Sequence, residues 1–231
     1  DAILLLAPNG VHKQWVDEQL PSHMPDSVGY DAFTWKSGRD FPADAITPSK
    51  RLRFFSMNIE ALVSTRAQEQ FRKIVRVFGQ RLLLVIDEAS RIKNPKAKRT
   101  KFLLAESRGS GWRRILTGSP ITQGPQDLYS QIAFLSPSII GTSSYAGFRR
   151  LYCIEEPIPG GRAPAFARRI VGYRNLDELR RRVAPFTYCV KKEECLDLPP
   201  KIFVKRIVEM SPEQARHYKR LGDDLLLMLT T

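Results

Sequence analysis

Two carboxylates stand side by side at the end of an apolar run: Asp87 and Glu88, in LLLVIDEAS at residues 82 to 90. The apolar residues Leu82 to Ile86 suit a strand buried on both faces, and ligands of open α/β sheets gather at the carboxyl ends of such strands. There, Asp87 would hold Mg²⁺, directly or through water, and Glu88 would orient and deprotonate a water that attacks a terminal phosphate. Two roles require two neighbouring carboxylates. The same pair could equally cap a following helix, and an apolar run followed by Asp-Glu leaves both readings open.

A second stretch, RRILTGSPITQGPQDLYSQIAFLSP at residues 113 to 137, bears on the choice. Its short strand ends in Thr117 and Ser119 around Gly118, and their hydroxyls could bond to a neighbouring carboxylate and sense its state. Pro120 stops the strand. A plain strand-turn-helix connection accounts for Gly118 and Pro120 equally well.

The elements that must position these residues follow from periodicity. Apolar runs at Ala2 to Ala7, Val28 to Trp35, Leu52 to Ser56, Leu82 to Ile86 and Arg114 to Thr117 predict buried parallel strands. Between them, Val11 to Leu20, Ala67 to Phe78 and Lys96 to Ala105 carry apolar stripes at helical spacing. Strands alternating with helices imply a doubly wound α/β sheet. After Leu135, a series of breakers (Ser136, Pro137, Gly141, Pro157, Pro159, Gly160, Gly161, Pro164) predicts irregular structure with short helices. One helix is expected at Asn175 to Val183, and a mobile or inserted hairpin around Glu155 to Ala165. Lys201 to Met210 alternates like a strand; Ser211 then starts a helix, with Pro212 at its first position and Glu213 in its first turn.

Composition bounds the class. With 231 residues, 42% of them hydrophobic, the chain can build one substantial core or a lobe with an appendage, and not several independent domains. Its net charge of +13 comes from 37 basic and 24 acidic residues spread along the chain, which fits a phosphate-lined groove and fits a solubility surface as well. No apolar stretch approaches the roughly 20 residues of a membrane-spanning helix. DAILLLAP reads as a buried strand rather than a signal peptide, so a soluble protein with no membrane partner is expected. Cys153, Cys189 and Cys195 lack the pair spacing of a zinc or redox motif, which fits a reducing compartment. Trp15, Trp35 and Trp112 sit in or beside apolar patterns and are expected in the core rather than stacked on bases. Cys189 and Cys195 are expected to be partly buried, and His12, His23 and His217 have no carboxylate or Cys partner at metal spacing.

Order and spacing together resemble the SWI/SNF-type ATPases of helicase superfamily two. LLLAPNGVHKQWVDEQLP is similar to their motif Ia, RLRFFSMNIEAL to Ib, VIDEASRIKN to II and ILTGSPITQGPQDLYSQIAFLSP to III. APFTYCVKKEECLDLPPK, followed by VEMSPEQARHYKRL, resembles the segment by which that family leaves its first lobe and crosses toward its second. Nearly the whole chain is covered, and several ordered motifs are more specific than any one of them.

The resemblance implies a RecA-like doubly wound parallel sheet flanked by helices, of the P-loop NTPase type, with a C-terminal irregular or helical extension. Residues 1–138 would be the first lobe without its phosphate-loop segment, 139–200 its extension, and 201–231 the connection toward a second lobe. It further implies an ATP-dependent translocase acting on double-stranded DNA, using ATP and Mg²⁺, with the second ATPase lobe of the same parent chain as partner. Asp87 would bind the metal, Glu88 would be the catalytic base, and Thr117, Gly118 and Ser119 would couple hydrolysis to lobe closure. Pro8, Asn9, Gly10, Ser56, Met57 and Asn58 would contact the backbone of one tracking strand, and such contact without base readout suits a motor stepping along arbitrary sequence. Lys93, with Lys13, Arg91, Asn94, Lys96, Lys98 and Arg99, could add phosphate contacts.

Departures from the family pattern touch the mechanism. Ser90 stands where His or Asp is usual, which implies a shorter or water-mediated bridge to motif III. Ser119 replaces Thr, Gln123 Asn and Asp127 Glu, while Cys189 and Val190 replace paired arginines beside Lys191 and Lys192. The pattern looks closer to phage or bacterial members than to nuclear remodelers, and an intracellular location is expected: cytoplasmic if bacterial or phage, nuclear if eukaryotic. No G-x-x-x-x-G-K-[ST] loop and no shorter Gly-Lys-Thr loop occurs in the sequence. The family places that loop before motif Ia and its arginine fingers in the second lobe, so residues 1–231 alone are expected to hydrolyse ATP negligibly. A true helicase or restriction-type translocase is the rival within enzymes. The rival from another class is a non-catalytic DNA-binding or protein-interaction module on a degenerate lobe, against which the retained Asp87–Glu88 pair argues.

Overall fold

The computed structural model describes residues 1–158, 167–190, 202 and 204–230. Strands β1 (Ala2–Ala7), β2 (Tyr30–Thr34), β3 (Leu52–Asn58), β4 (Leu82–Ile86) and β5 (Trp112–Ile115) form one parallel sheet in the order β2-β3-β1-β4-β5. The expected RecA-like doubly wound sheet is present, and β4 falls on the expected residues.

The register follows from burial on both faces. β1 lies at the centre, with Leu4 beside Phe55 and Leu84, and Leu6 beside Met57 and Ile86. Successive side chains point to opposite faces of a strand. Leu4 and Leu6 therefore join the layer of Phe71, Ile74 and Leu103, from helices Thr65–Phe78 and Lys98–Glu106, while Leu5 and Ala7 join Leu20 and Phe54 on the other side. A strand covered on both faces can be apolar throughout, which is why DAILLLAP reads as a run rather than an alternation.

The helical run after β1 extends to His23 and is not uniform. Val11–Gln14 and Leu20–His23 are α-helical, and Trp15–Gln19 between them is a π-helical turn. Pro21 has no N–H to give and crowds the carbonyl four residues back, that of Asp17. Asp17 lies inside the widened turn.

β5 starts two residues earlier than its apolar run and ends at Ile115, before Thr117. Among the described residues it pairs only with β4. This corrects the expectation for Trp112, which is 62% exposed because an edge strand leaves one side uncovered. Trp35 lies in the core, as expected.

Beyond β5, helix Leu128–Leu135 carries a second apolar cluster that joins Tyr129, Ile132, Ile140, Phe148, Tyr152 and Leu179. Helices Tyr145–Tyr152 and Leu176–Val183 belong to it, and β6 (Cys153–Pro157) pairs antiparallel with β7 (Arg168–Tyr173). These strands are the arms of the expected hairpin; residues 159–166, including most of the expected tip, lie outside the described residues.

Residues 188–231 form a separate unit. Residues 204–210 have no strand partner among the described residues, so the alternation of Lys201 to Met210 does not become the expected strand. Alternating side chains supply a face, whereas a strand also needs a neighbour for its backbone donors and acceptors; Lys201 and Phe203 are outside the described residues. Helix Pro212–Thr230 opens with a reciprocal cap: Gln214 N–H donates to Ser211 Oγ at 3.3 Å, and Ser211 N–H donates to Gln214 Oε1 at 3.1 Å. Cys189 is exposed, a correction to the expected partial burial, since the described residues Thr187 to Val190 lie in no helix or strand; Lys191, Lys192 and Cys195 are outside the described residues. Among the described residues, no helix is long and apolar enough to cross a membrane.

Candidate nucleotide and DNA site

Because the sheet is parallel, its strands all end on one edge. Pro8, Asn9 and Gly10 follow β1, Asn58 closes β3, Asp87 and Glu88 follow β4, and Thr117, Gly118 and Ser119 follow β5. Residues far apart in sequence thus share one rim, where α/β sheets bind their ligands.

At the centre of the rim, Asp87 is half-buried and Glu88 exposed. Asp87 N–H donates to Leu6 O at 2.8 Å, continuing the ladder between β4 and β1. Glu88 takes a left-handed backbone, φ 52° and ψ 57°, sparsely populated for a side chain of this kind. That conformation turns its N–H back onto Asp87 Oδ1 at 2.9 Å. The other Asp87 oxygen, Oδ2, accepts from Trp15 Nε1 at 3.0 Å. Both oxygens of the carboxylate are therefore oriented.

Thr117 and Ser119 bond locally, Ser119 N–H donating to Thr117 Oγ1 at 3.2 Å. Among the described residues, no direct side-chain hydrogen bond joins Thr117, Ser119 or Ser90 to Asp87 or Glu88. Motifs II and III are tied through backbone instead: Ala89 N–H donates to Leu116 O at 2.9 Å, and Leu116 N–H to Ile86 O at 2.8 Å. Further along, Lys93 Nζ donates to Thr122 Oγ1. Asp127, buried, accepts at Oδ2 from Thr122 N–H (2.9 Å), Thr122 Oγ1 (2.8 Å) and Gln123 N–H (2.9 Å). Burial alone would push the Asp127 carboxyl up, but these bonds and the Lys93 charge outweigh it and hold the carboxyl below its ordinary value.

The expected DNA-contacting residues divide in two. Asn9 and Gly10 are exposed, Asn58 and Lys93 half-buried, whereas Pro8, Ser56 and Met57 are buried. Ser56 Oγ donates to His12 O at 2.5 Å, so its hydroxyl holds the helix after β1 against β3. Gly10 turns the chain there at φ 88°, a left-handed conformation that favours glycine. Burial pushes the His12 imidazole down. Glu60 was not singled out from the sequence, yet it accepts from Asn9 N–H at 3.2 Å and pairs with Arg91 at 3.6 Å, joining the ends of β1, β3 and β4.

Residues 1–230 match the family model of the SNF2-related domain. The chain belongs to that family. This SNF2-related domain is 33% identical over 138 residues to the TATA-binding protein-associated factor 172 of Homo sapiens, covering 58% of this chain and 7% of that protein. It is 29% identical over 171 residues to the DNA repair and recombination protein RAD54B of Mus musculus, covering 67% of this chain and 18% of that one. Among solved structures, the Sulfolobus solfataricus SWI2/SNF2 ATPase core in complex with dsDNA aligns over 97% of this chain and 42% of its own, with a TM-score of 0.56 and 28% identity. The Sulfolobus solfataricus SWI2/SNF2 ATPase core domain aligns over 97% and 41%, with a TM-score of 0.51 and 27% identity. The chain thus spans a small part of the curated relatives and about two fifths of the solved chains.

The donor set of this SNF2-related domain suits magnesium. No group of three or more His, Cys, Asp or Glu side chains able to hold a metal occurs among the described residues. Mg²⁺ keeps several waters and takes one or two carboxylates together with substrate phosphates. A single oriented carboxylate at Asp87 meets that requirement, because each oxygen spends one lone pair on a donor and keeps another.

Gly124 links the motif III loop to the hairpin. A Cβ there would run into the Tyr173 hydroxyl and the Gln126 side chain. Gly124→Ala is therefore expected to destabilise the domain by about 2 kcal/mol, in the range for overpacking. In chemical denaturation, Tyr173→Phe in the same chain should recover part of the loss; no recovery would mean that the Tyr173 hydroxyl is not the obstacle.

Proposed function

We propose that this domain is the first ATPase lobe of an intracellular motor that couples ATP hydrolysis to translocation along duplex DNA. The observation that carries the reading is the shared rim: one sheet edge holds an oriented carboxylate, an adjacent free carboxylate, a hydroxyl-bearing turn and an exposed polar loop. Magnesium would be held by Asp87 and would neutralise charge developing on the transferred phosphate. Glu88, exposed beside Asp87, accepts the proton of the attacking water, while Asp87 is held by Trp15 and by the Glu88 N–H. Thr117 to Ser119 lie one strand away and move with motif II through the Ala89–Leu116 backbone bond, which supports a role in passing the nucleotide state to lobe closure. Asn9, Gly10, Asn58 and Lys93 present polar groups at the rim for phosphate oxygens, and the solved relative in complex with dsDNA supports duplex as the track.

The phosphate loop and the second lobe come from the rest of a parent chain in this reading. The uncovered side of β5, where Trp112 and Leu116 are 62% and 43% exposed, offers a strand edge for the segment that carries the loop.

The test is ATP hydrolysis by the parent polypeptide with and without duplex DNA, beside residues 1–231 alone. Turnover stimulated by DNA in the parent and absent from residues 1–231 is the expected pattern. A parent chain without turnover would instead make this a DNA-binding or protein-interaction module on a lobe that has lost its chemistry.

A further inference from the structure

We propose that Trp15 is a positioning residue that ties Asp87 to the Pro8–Gly10 loop, so that occupancy of the loop by DNA sets the orientation of the metal-binding carboxylate. The inference rests on the motor reading above and adds to it the route by which the track reaches the chemistry.

Indole Nε1 is a donor only, and here it donates to Asp87 Oδ2 at 3.0 Å, across 72 positions of sequence. The Glu88 N–H holds the other oxygen. Trp15 therefore decides whether the carboxylate plane is fixed at one point or at two. The indole is itself held by packing against the cluster of Leu5, Ala7, Leu20 and Phe54, so the N–H is presented from a ring with little freedom.

The connection to the loop is short. His12 N–H donates to Pro8 O at 3.2 Å and Lys13 N–H to Gly10 O at 3.1 Å, which folds the loop into the first turn of the helix. Ser56 fastens that turn to β3 through His12 O. Trp15 opens the π-helical turn that follows. Such turns occur mostly as single insertions in α-helices, often at functional sites, and one that begins at Trp15 aims the indole at the rim. From Gly10 to Trp15 is five residues, roughly 7.5 Å of helix at 1.5 Å per residue, so a shift of the loop on a DNA backbone carries to the indole without passing through the sheet.

The test uses the full parent chain and its Trp15→Phe variant, which keeps an aromatic ring and removes the donor. The Mg²⁺ concentration that half-saturates binding of a non-hydrolysable ATP analogue should rise roughly 10- to 100-fold, the range for loss of a partner that orients a metal ligand. DNA stimulation of turnover should fall, while duplex affinity without nucleotide stays the same. If Trp15→Phe does not fold, 3-benzothienylalanine at position 15 replaces only the N–H by sulfur and should show the same rise. Unchanged Mg²⁺ half-saturation would overturn the proposal, and so would loss of duplex affinity with unchanged Mg²⁺ half-saturation, which would make Trp15 a support of the loop alone. A parent chain that binds and hydrolyses no ATP in its unsubstituted form would overturn the motor reading, and this inference with it.

Discussion

Glu88→Gln in the full parent chain is expected to lower DNA-stimulated ATP turnover by roughly 10²- to 10⁴-fold, the usual contribution of a positioned general base. Glutamine keeps the size of the side chain and leaves the Glu88 N–H free to hold Asp87 Oδ1. It removes the negative charge and with it the capacity to take a proton. Glu88 is exposed, and exchanges of exposed side chains away from packed contacts change stability by no more than about 0.5 kcal/mol. Loss of folding therefore cannot stand in for loss of chemistry. Stopped turnover with ATP and duplex binding retained is the expected combination, measured as steady-state phosphate release beside nucleotide and DNA titrations. Turnover near that of the unsubstituted chain would remove Glu88 from the reaction and leave the carboxylate pair to a capping role.

Why the carboxylates were legible and their partners were not has a physical cause. A parallel strand buried on both faces must be apolar along its length, so Leu82 to Ile86 is a run that any polar residue would interrupt, and Asp87 marks its end. The same logic made β1 plain. β5 was less plain: as an edge strand it needs no continuous apolar run, and its apolar Leu116 lies one residue past the strand's end at Ile115. Over the described residues 204–210, the strand expected at Lys201 to Met210 is absent for the complementary reason, since alternation fixes a face and says nothing about a neighbour.

At the site, sequence motifs located residues near strand ends but not the direction of their side chains. Ser56 and Met57 lie one and two residues before the end of β3 and are buried. Trp15 read as a core residue because its ring is apolar. Its ring does pack in an apolar cluster; what the sequence did not carry was the pairing of its N–H with Asp87, which depends on a π-helical turn of which periodicity gives no sign. Glu60 was hidden similarly, because a surface glutamate has no local signature until Asn9 and Arg91 are brought beside it.

Asp127→Ala is expected to destabilise residues 1–231 by about 3 kcal/mol in chemical denaturation, the scale on which a buried group loses charge-assisted partners. Three donors, Thr122 N–H, Thr122 Oγ1 and Gln123 N–H, would lose their acceptor together. Asp127→Asn keeps a carbonyl oxygen for some of them and should lose less. Among the described residues, the further side-chain ties of the loop include Lys93 Nζ to Thr122 Oγ1, and Gln131 Nε2 to Pro120 O at 2.7 Å and to Asp127 O at 2.8 Å. Loosening it frees the segment that follows Thr117 to Ser119, so DNA-stimulated turnover should fall along with stability. The effect has a pH signature. The folded-state carboxyl lies below its ordinary value, so the unfolded chain binds the proton first as pH falls. The contribution of Asp127 is then complete above the unfolded value of about 3.9 and is lost as pH drops through the folded one. The stability gap between Asp127→Ala and the unsubstituted chain should accordingly be widest near neutral pH and close in acid. A gap that stayed constant with pH would place its origin in packing and not in the charged carboxylate.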